Sequence, residues 1–149
     1  MLTQVRVYRG LPDATKVPHP YAANERQTAA WVWSPLVDVI RRPLRYPGTW
    51  PKQRAQEKGV DVALGIDFVR LAVRGAHDVG ILVSTDTDLV PALEAAIEIK
   101  TVGVHIEVAA WKARGANRRL SIGGQLPWCH QLYESDYQTV RDNRDYNQP

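Results

Sequence analysis

The spacing of apolar positions changes several times along the chain, and each change predicts a new element of secondary structure. Apolar and polar residues alternate over residues 2–8, which indicates a short strand. A helix is predicted from residue 22 or 24 to residue 33, because Pro35 cannot continue it. Residues 37–46 mix β-branched and basic side chains and suit a strand, which Pro43 would interrupt or restrict to a sheet edge.

The second half of the chain alternates between helical and strand patterns. Residues 57–74 form the clearest helix, and Gly75 follows at a natural end position. The unbroken apolar run at residues 79–84 suits a central parallel strand, and residues 89–100 and 102–108 suit a helix and another strand. This order predicts an α/β fold with a parallel sheet and right-handed crossovers. Three shorter elements are predicted beyond it: a basic loop (112–117), a strand (126–132) and a helix (135–141).

The composition is that of an ordinary globular domain, with 44% hydrophobic and 23% charged residues among 149. This length suits one domain, predicted over residues 1–141 with a polar tail at 142–149. No stretch approaches the roughly 20 apolar residues of a membrane span, and the N-terminus lacks a signal-peptide pattern. The single cysteine, Cys129, excludes an internal disulfide and a cysteine-rich zinc site. We therefore expect a cytoplasmic protein.

The basic residues form two groups, although the net charge is only +3. The first group comprises Arg41, Arg42, Arg45, Lys52, Arg54 and Lys58, and the second comprises Lys112, Arg114, Arg118 and Arg119. Several acidic residues lie between the two groups in the sequence. Basic rims around an acidic centre would suit an enzyme that grips phosphates and holds metal ions at the scissile one. The alternative is that both groups are solvated loops.

Two aspartates follow the apolar run in the sequence Ile81-Leu82-Val83-Ser84-Thr85-Asp86-Thr87-Asp88. Ligands of open parallel sheets bind outside the carboxyl ends of strands. Two negative charges this close repel each other unless a cation offsets them. Mg²⁺ commonly takes one or two carboxylates together with waters and substrate phosphate. Alternatively, Asp86 and Asp88 only cap the next helix.

The helix over residues 57–74 carries further acidic candidates in an apolar setting. Asp61 lies on the same face as Gly65, whose small size would leave space beside the carboxylate. An unpartnered charge on a mostly buried helix is costly. Asp67 has Arg70 and Arg74 three and seven residues along, so an ion pair is a good alternative for it. Asp61 is therefore the preferred helix ligand and Asp67 the second choice.

These residues together resemble the pattern of the NYN domain family, which belongs to the PIN-like ribonuclease superfamily. The family has lysine-x-x-aspartate-valine on a helix, then a strand and serine-x-aspartate-x-aspartate. Lys58 to Val62 and Ser84 to Asp88 match these motifs, and the helix and strand up to residue 108 follow the family's order. The resemblance implies a three-layer PIN-like fold with a mainly parallel central sheet flanked by helices.

The resemblance also implies an activity, namely a Mg²⁺- or Mn²⁺-dependent ribonuclease. Asp61, Asp86 and Asp88 match the metal-binding positions of the motif, and Asp67 matches a further recurrent acidic position. Lys58 or nearby arginines would neutralise the RNA phosphates. The residues predicted to contact RNA in this way are Lys58, Arg41, Arg42, Arg45 and Arg54.

The family pattern opens with a central strand that ends in a metal-binding aspartate, and nothing in this sequence fits that strand. Residues 2–8 instead resemble the family's second strand. We expect that one strand-and-helix unit is missing, on the order of 30 residues, and that the metal site lacks one ligand. A parallel sheet without its central strand would expose edge groups and invite a partner. The expected partner is a second copy of the chain or another chain that supplies the strand.

Two other functional classes remain open from the sequence. The chain could be a catalytically weak RNA-binding or regulatory module that keeps the fold, or a purely structural or protein-interaction domain. The histidines (His19, His77, His105 and His130) form no acid–base pattern and are interpreted as structural or surface residues. The five tryptophans could stack on bases, although packing is the commoner role.

Overall fold

The computed structural model describes residues 1–112, 119–124 and 127–148. The chain divides into two compact units, one of Met1–Ala63 with Asn143–Pro149 and one of Leu64–Asp142. The prediction of one domain over residues 1–141 stays a prediction. Within the described ranges, none of the helices has the length and apolar character that a membrane span requires.

The first unit contains a parallel strand pair joined by a helix. Strand β1 (Val5–Leu11) leads through helix α1 (Pro18–Trp31) to β2 (Val37–Pro43). The two strands pair in parallel from Val5 opposite Val37 to Leu11 opposite Pro43. Helix α1 begins earlier than predicted because two prolines occupy its first turn, where a missing N–H costs no hydrogen bond. Pro43 is the last residue of β2, where the loss of one donor is tolerated.

The second unit contains a three-stranded parallel sheet in the order β3-β4-β5. Its elements in chain order are α2 (Val60–Val73, whose first turn belongs to the first unit), β3 (Val79–Val83), a 3₁₀ turn (Thr87–Leu89), α3 (Val90–Ile99), β4 (His105–Trp111), β5 (Cys129–Leu132) and α4 (Glu134–Val140). Parallel strands flanked by helices confirm the predicted α/β class. Leu126, where the last strand was predicted to begin, lies outside the described residues.

One face of this sheet packs against helices to form the core. Leu82 of β3 and Val108 of β4 are partners in register, and both contact the cluster that includes Leu89 and Leu93. Leu93 is completely buried, so its truncation to alanine would cost about 2–5 kcal/mol. Phe68 of α2 packs against the same cluster. The core therefore fixes the 3₁₀ turn, through Leu89, to the end of β3.

Strand β3 lies at an edge of the described sheet, so the prediction of a central strand is wrong for this sheet. Its residues alternate between exposed and buried: Val79, Ile81 and Val83 are 44%, 46% and 65% exposed, whereas Gly80 and Leu82 are buried. A strand that is buried on both faces also has a sequence without polar residues. The sequence therefore does not distinguish an edge position from a central one.

The predicted strand over residues 102–108 begins three residues later in the structure, at His105. Gly103 has a φ of +92° and the N–H of Val104 donates to the carbonyl of Thr101, so these residues form a turn. Val102 is 98% exposed. In the sequence, the residues of this left-handed glycine turn are as apolar as those of the strand that follows it. The prediction therefore joined the turn to the strand.

Candidate metal centre and its surroundings

The segment after β3 is a short, hydrogen-bonded acidic turn, defined here as residues 84–88. The N–H of Ser84 donates to the carbonyl of Ala109 over 3.2 Å, which extends the pairing with β4 by one residue. The Ser84 hydroxyl then accepts a 3.1 Å hydrogen bond from the N–H of Asp86. Asp86 Oδ1 accepts a 3.0 Å hydrogen bond from the N–H of Asp88. These three bonds hold both aspartates at the carboxyl end of β3.

The structure confirms the capping alternative for Asp86. This residue is the N-cap of the 3₁₀ turn Thr87–Leu89, and its backbone is extended, as expected of a cap. Capping engages Oδ1 only, and a carboxylate has a second oxygen that can accept other ligands. A capping role and a metal-binding role are therefore compatible at Asp86.

Both carboxylates of the acidic turn are in exposed residues, whereas Leu89 beside them is 3% exposed. Among the described residues, no lysine, arginine or histidine forms an ion pair with Asp86 or Asp88. Two neighbouring carboxylates on a fixed turn, with no ion pair to any described cationic side chain, fit a hard divalent cation. Mg²⁺ needs only one or two protein carboxylates when waters and phosphate complete its shell.

Asp61 lies in the first turn of α2 and is exposed, so its charge carries no burial cost. The prediction that Gly65 leaves space beside the Asp61 carboxylate is wrong, because a Cβ at residue 65 would lie 3.1 Å from the Cβ of Ala92. Gly65 thus admits helix α3 and does not make room for a carboxylate. Exposure on one side of α2 is also greater than predicted, since Val62, Ile66 and Val73 are 63%, 55% and 45% exposed.

Asp67 forms the predicted ion pair with Arg70, with 2.8 Å between Oδ1 and Nη1. Its side chain is 18% exposed. The alternative of a structural ion pair is therefore confirmed for Asp67. A metal-binding role for Asp67 stays a prediction.

In the part of the chain that the structure describes, no group of three or more His, Cys, Asp or Glu side chains is arranged to hold a metal ion. Asp86 and Asp88 share one turn, and Asp61 belongs to the first unit. The predicted site of Asp61, Asp86 and Asp88 therefore stays a prediction in its three-residue form. The pair in the acidic turn is the part that the local geometry supports.

The basic residues predicted to contact RNA differ in their surroundings. Arg41 forms an ion pair with Glu25 and also lies 3.5 Å from Asn24 Oδ1, so its charge is already engaged. The other four are exposed and form no ion pair within the described ranges: Arg42, Arg45, Arg54 and Lys58. Arg114 and Arg118 of the second basic group lie outside the described residues.

A polar cluster at the carboxyl end of β1 was not predicted. Asn24 is 4% exposed and donates through Nδ2 to the Gly10 carbonyl over 3.2 Å. Glu57 Oε1 accepts a 2.7 Å hydrogen bond from the Gly10 N–H. Burial lowers the pKa of Arg9 nearby, the positive charge of Arg41 lowers it further, and the carboxylate of Glu57 acts in the opposite direction. No spacing rule links residues 10, 24 and 57, since the fold alone brings them together.

A second unpredicted pair lies in the sheet of the second unit. His130 Nε2 and Glu107 Oε2 are 2.6 Å apart. The ring of Trp128 packs edge-on against His130, with 6.4 Å between centroids. The interpretation of His130 as a structural or surface residue fits this pairing.

Two open depressions are lined by residues of the first unit, and none of the predicted metal ligands is among those lining residues. One, of about 530 Å³, is lined by Arg6, Asp38 and apolar residues of β2. The other, of about 420 Å³, is lined in part by Arg9, Asn24 and Tyr146. The acidic turn is the stronger candidate for a metal site, because a metal held by exposed carboxylates and substrate phosphate needs no deep cavity.

One of the comparisons with known proteins found a match, and it identifies the family. No curated protein and no solved structure matches the chain. The family model of the NYN domain matches residues 21–120, which include α2, β3, the acidic turn and β4. The match covers well over half of the 149 residues. The chain therefore belongs to the NYN domain family, within the PIN-like nuclease superfamily.

Proposed function

We propose that this chain is a Mg²⁺- or Mn²⁺-dependent ribonuclease that hydrolyses phosphodiester bonds of RNA. The observation that carries the proposal is the pair Asp86 and Asp88, two exposed carboxylates on a hydrogen-bonded turn at a strand end. Neither forms an ion pair with a residue that the structure describes. Membership of a nuclease-like family adds the reaction class. Strand ends of this kind are the usual binding position in parallel sheets.

Asp86 and Asp88 would hold the ion, with Asp61 as a further ligand and Asp67 as a second choice. When bound, the ion makes water a stronger nucleophile at neutral pH and stabilises charge on the phosphate oxygens. The hydrogen bonds within the acidic turn keep Asp86 in place before substrate arrives, which avoids reorganisation during the reaction. Lys58, Arg42, Arg45 and Arg54 carry exposed positive charges that would neutralise the RNA backbone.

The test is RNA cleavage by the wild-type chain and by Asp86→Asn, in Mg²⁺, in Mn²⁺ and in chelator. Asp78→Asn is a matched control, because Asp78 is an exposed aspartate just before the other end of β3. We expect chelator to abolish cleavage and Asp86→Asn to reduce it at least about 100-fold, the typical loss when one charge-stabilising group is removed. Asp78→Asn should cleave like the wild type.

Cleavage that persists in chelator and in Asp86→Asn would refute the metal mechanism. RNA binding without cleavage under every metal condition would instead support the second functional class, an RNA-binding or regulatory module. Structured and single-stranded RNAs should both be assayed, because the two present different surfaces to a protein.

A further inference from the structure

A group of aromatic side chains with one lysine lies at the carboxyl ends of β4 and β5. We call it the aromatic cluster, defined as Trp111, Lys112, Tyr133 and Tyr137. The rings of Trp111 and Tyr137 pack edge to face, with centroids 6.3 Å apart. The Lys112 ammonium lies 5.7 Å from the centroid of the Tyr133 ring. The N–H of Lys112 donates to the Leu132 carbonyl over 2.8 Å, which ties the two strand ends together.

The three aromatic residues of this cluster are all about half exposed. Trp111, Tyr133 and Tyr137 have exposures of 46%, 45% and 52%. The ring contact between Trp111 and Tyr137, and the contact of the Lys112 ammonium with the Tyr133 ring, hold these side chains in place without burying them. Preordered aromatic surface beside an exposed ammonium group is suited to stacking with a flat, anionic ligand.

The strand register places this cluster beside the acidic turn. Val83 is opposite Ala109, and the N–H of Ser84 donates to the Ala109 carbonyl. Trp111 is two residues beyond Ala109 on β4, and Asp86 is three residues beyond Val83 at the end of β3. Neighbouring strands are about 4.8 Å apart. One oligonucleotide can therefore reach both features.

We propose that the aromatic cluster is a binding subsite for single-stranded RNA, in which a base stacks on Trp111 and Lys112 contacts the adjoining phosphate. The proposal rests on the proposed function for the position of the scissile phosphate, at Asp86 and Asp88. It adds a specificity: bases stacked inside a duplex cannot present a face to Trp111, so unpaired RNA is the preferred ligand. Lys112 belongs to the second basic group, and none of the five residues predicted from the sequence to contact RNA is part of this subsite.

The chain offers a matched control in Trp128. This residue precedes β5 at its amino end, is 70% exposed and has His130 as its ring neighbour. If exposed indoles merely attract RNA without a defined site, Trp128→Ala would weaken binding more than Trp111→Ala, because Trp128 is the more exposed. The subsite proposal predicts the reverse order.

The experiment is fluorescence anisotropy with a labelled, unstructured oligouridylate of about 12 nucleotides, within the range of known single-strand sites. Binding is measured in chelator, so that cleavage does not interfere. We expect Trp111→Ala to raise Kd about tenfold, which lies within the range for loss of one stacked base. Trp111→Phe should restore most of the affinity because it keeps a stacking ring, and Trp128→Ala should bind like the wild type.

Additional measurements distinguish a role of Trp111 in RNA binding from a role in packing. Circular dichroism and thermal unfolding must show that Trp111→Ala keeps its fold, since the indole also contacts Tyr137. Lys112→Gln should weaken binding and reduce its salt dependence, because it removes one phosphate contact. An oligonucleotide with abasic positions should bind wild type and Trp111→Ala equally, since it has no base to stack.

The outcomes distinguish this inference from the proposed function. If Trp111→Ala weakens binding and no metal supports cleavage, the subsite stands and the nuclease proposal fails. If the chain cleaves RNA and Trp111→Ala leaves both Kd and KM unchanged, the subsite is refuted and the nuclease proposal stands. Absence of any RNA binding by the wild type, or an equal loss in Trp128→Ala, would also overturn the subsite.

Discussion

Asp86 Oδ1 accepts a 3.0 Å hydrogen bond from the backbone N–H of Asp88, so one proposed metal ligand also fixes the backbone of the other. The aspartate therefore has two functions in the acidic turn, a capping hydrogen bond and a negative charge. Asparagine keeps the capping oxygen without the charge, and alanine removes both. Substitutions can thus separate the two functions.

Asp86→Asn should unfold with nearly the wild-type free energy, whereas Asp86→Ala should lose about 1 kcal/mol, because asparagine is as good an N-cap as aspartate and alanine is a poor one. Both variants should bind Mn²⁺ more weakly. Urea unfolding gives the stabilities, and calorimetric titration gives the metal affinity. Equal stability losses in the two variants would show that the cap bond contributes little.

Gly65→Leu should destabilise the chain by about 1–3 kcal/mol, because a side chain at this buried position meets Ala92 at 3.1 Å and Leu89 at 3.7 Å. The matched control is Val62→Leu, at a 63% exposed position of the same helix. Denaturant midpoints of the two variants give the comparison. A destabilisation in Val62→Leu as large as that in Gly65→Leu would contradict the packing explanation.

Asn24→Ala should cost about 1–3 kcal/mol, because it removes a buried donor to the Gly10 carbonyl and leaves polar groups without a partner. Gln53→Ala is the control, since Gln53 is an exposed residue of the same unit whose side-chain oxygen accepts a 2.7 Å hydrogen bond from the exposed Thr49 hydroxyl. Chemical unfolding measures both. A neutral Asn24→Ala variant would mean that water replaces the lost bond.

The pKa of Asp13 is lowered to about 2, first because the Thr15 hydroxyl donates to its carboxylate and then through the N–H groups of Lys16 and Thr15. A lowered pKa means that the folded state favours the charged form. The resulting stabilisation is present above the ordinary pKa of about 3.8 and is lost as pH falls toward 2. An NMR titration should find the midpoint near 2.

Thr15→Val tests the cause of that shift. It removes the hydroxyl at nearly constant volume, so the pKa of Asp13 should rise toward its ordinary value. Thr139→Val is a suitable control, because the hydroxyl of Thr139 donates to the Ser135 carbonyl and not to a carboxylate. An unchanged Asp13 midpoint in Thr15→Val would assign the shift to the backbone donors instead.

The order of elements from α2 to β4 could be predicted because each has a pattern with its own period. The acidic turn could be predicted because its residues are consecutive in the sequence. The edge position of β3 could not be predicted, because this apolar strand would have the same composition at the edge of a sheet as at its centre. The pair of His130 and Glu107 could not be predicted either, because the two residues are 23 positions apart in the sequence and come together through the pairing of β4 with β5.

The position of β3 at a sheet edge has a consequence for its backbone amides. The N–H of Ser84 and the carbonyl of Asp78 are directed toward β4, so the N–H groups of Gly80 and Leu82 are directed there too, because direction alternates along a strand. The N–H groups of Ile81 and Val83 then face the open edge. In hydrogen exchange, Leu82 and Ser84 should therefore be slow, and Ile81 and Val83 fast. Any strand that joins β3 in solution would slow the second pair and leave the first unchanged, so these four amides report whether the sheet ends here or continues into another strand.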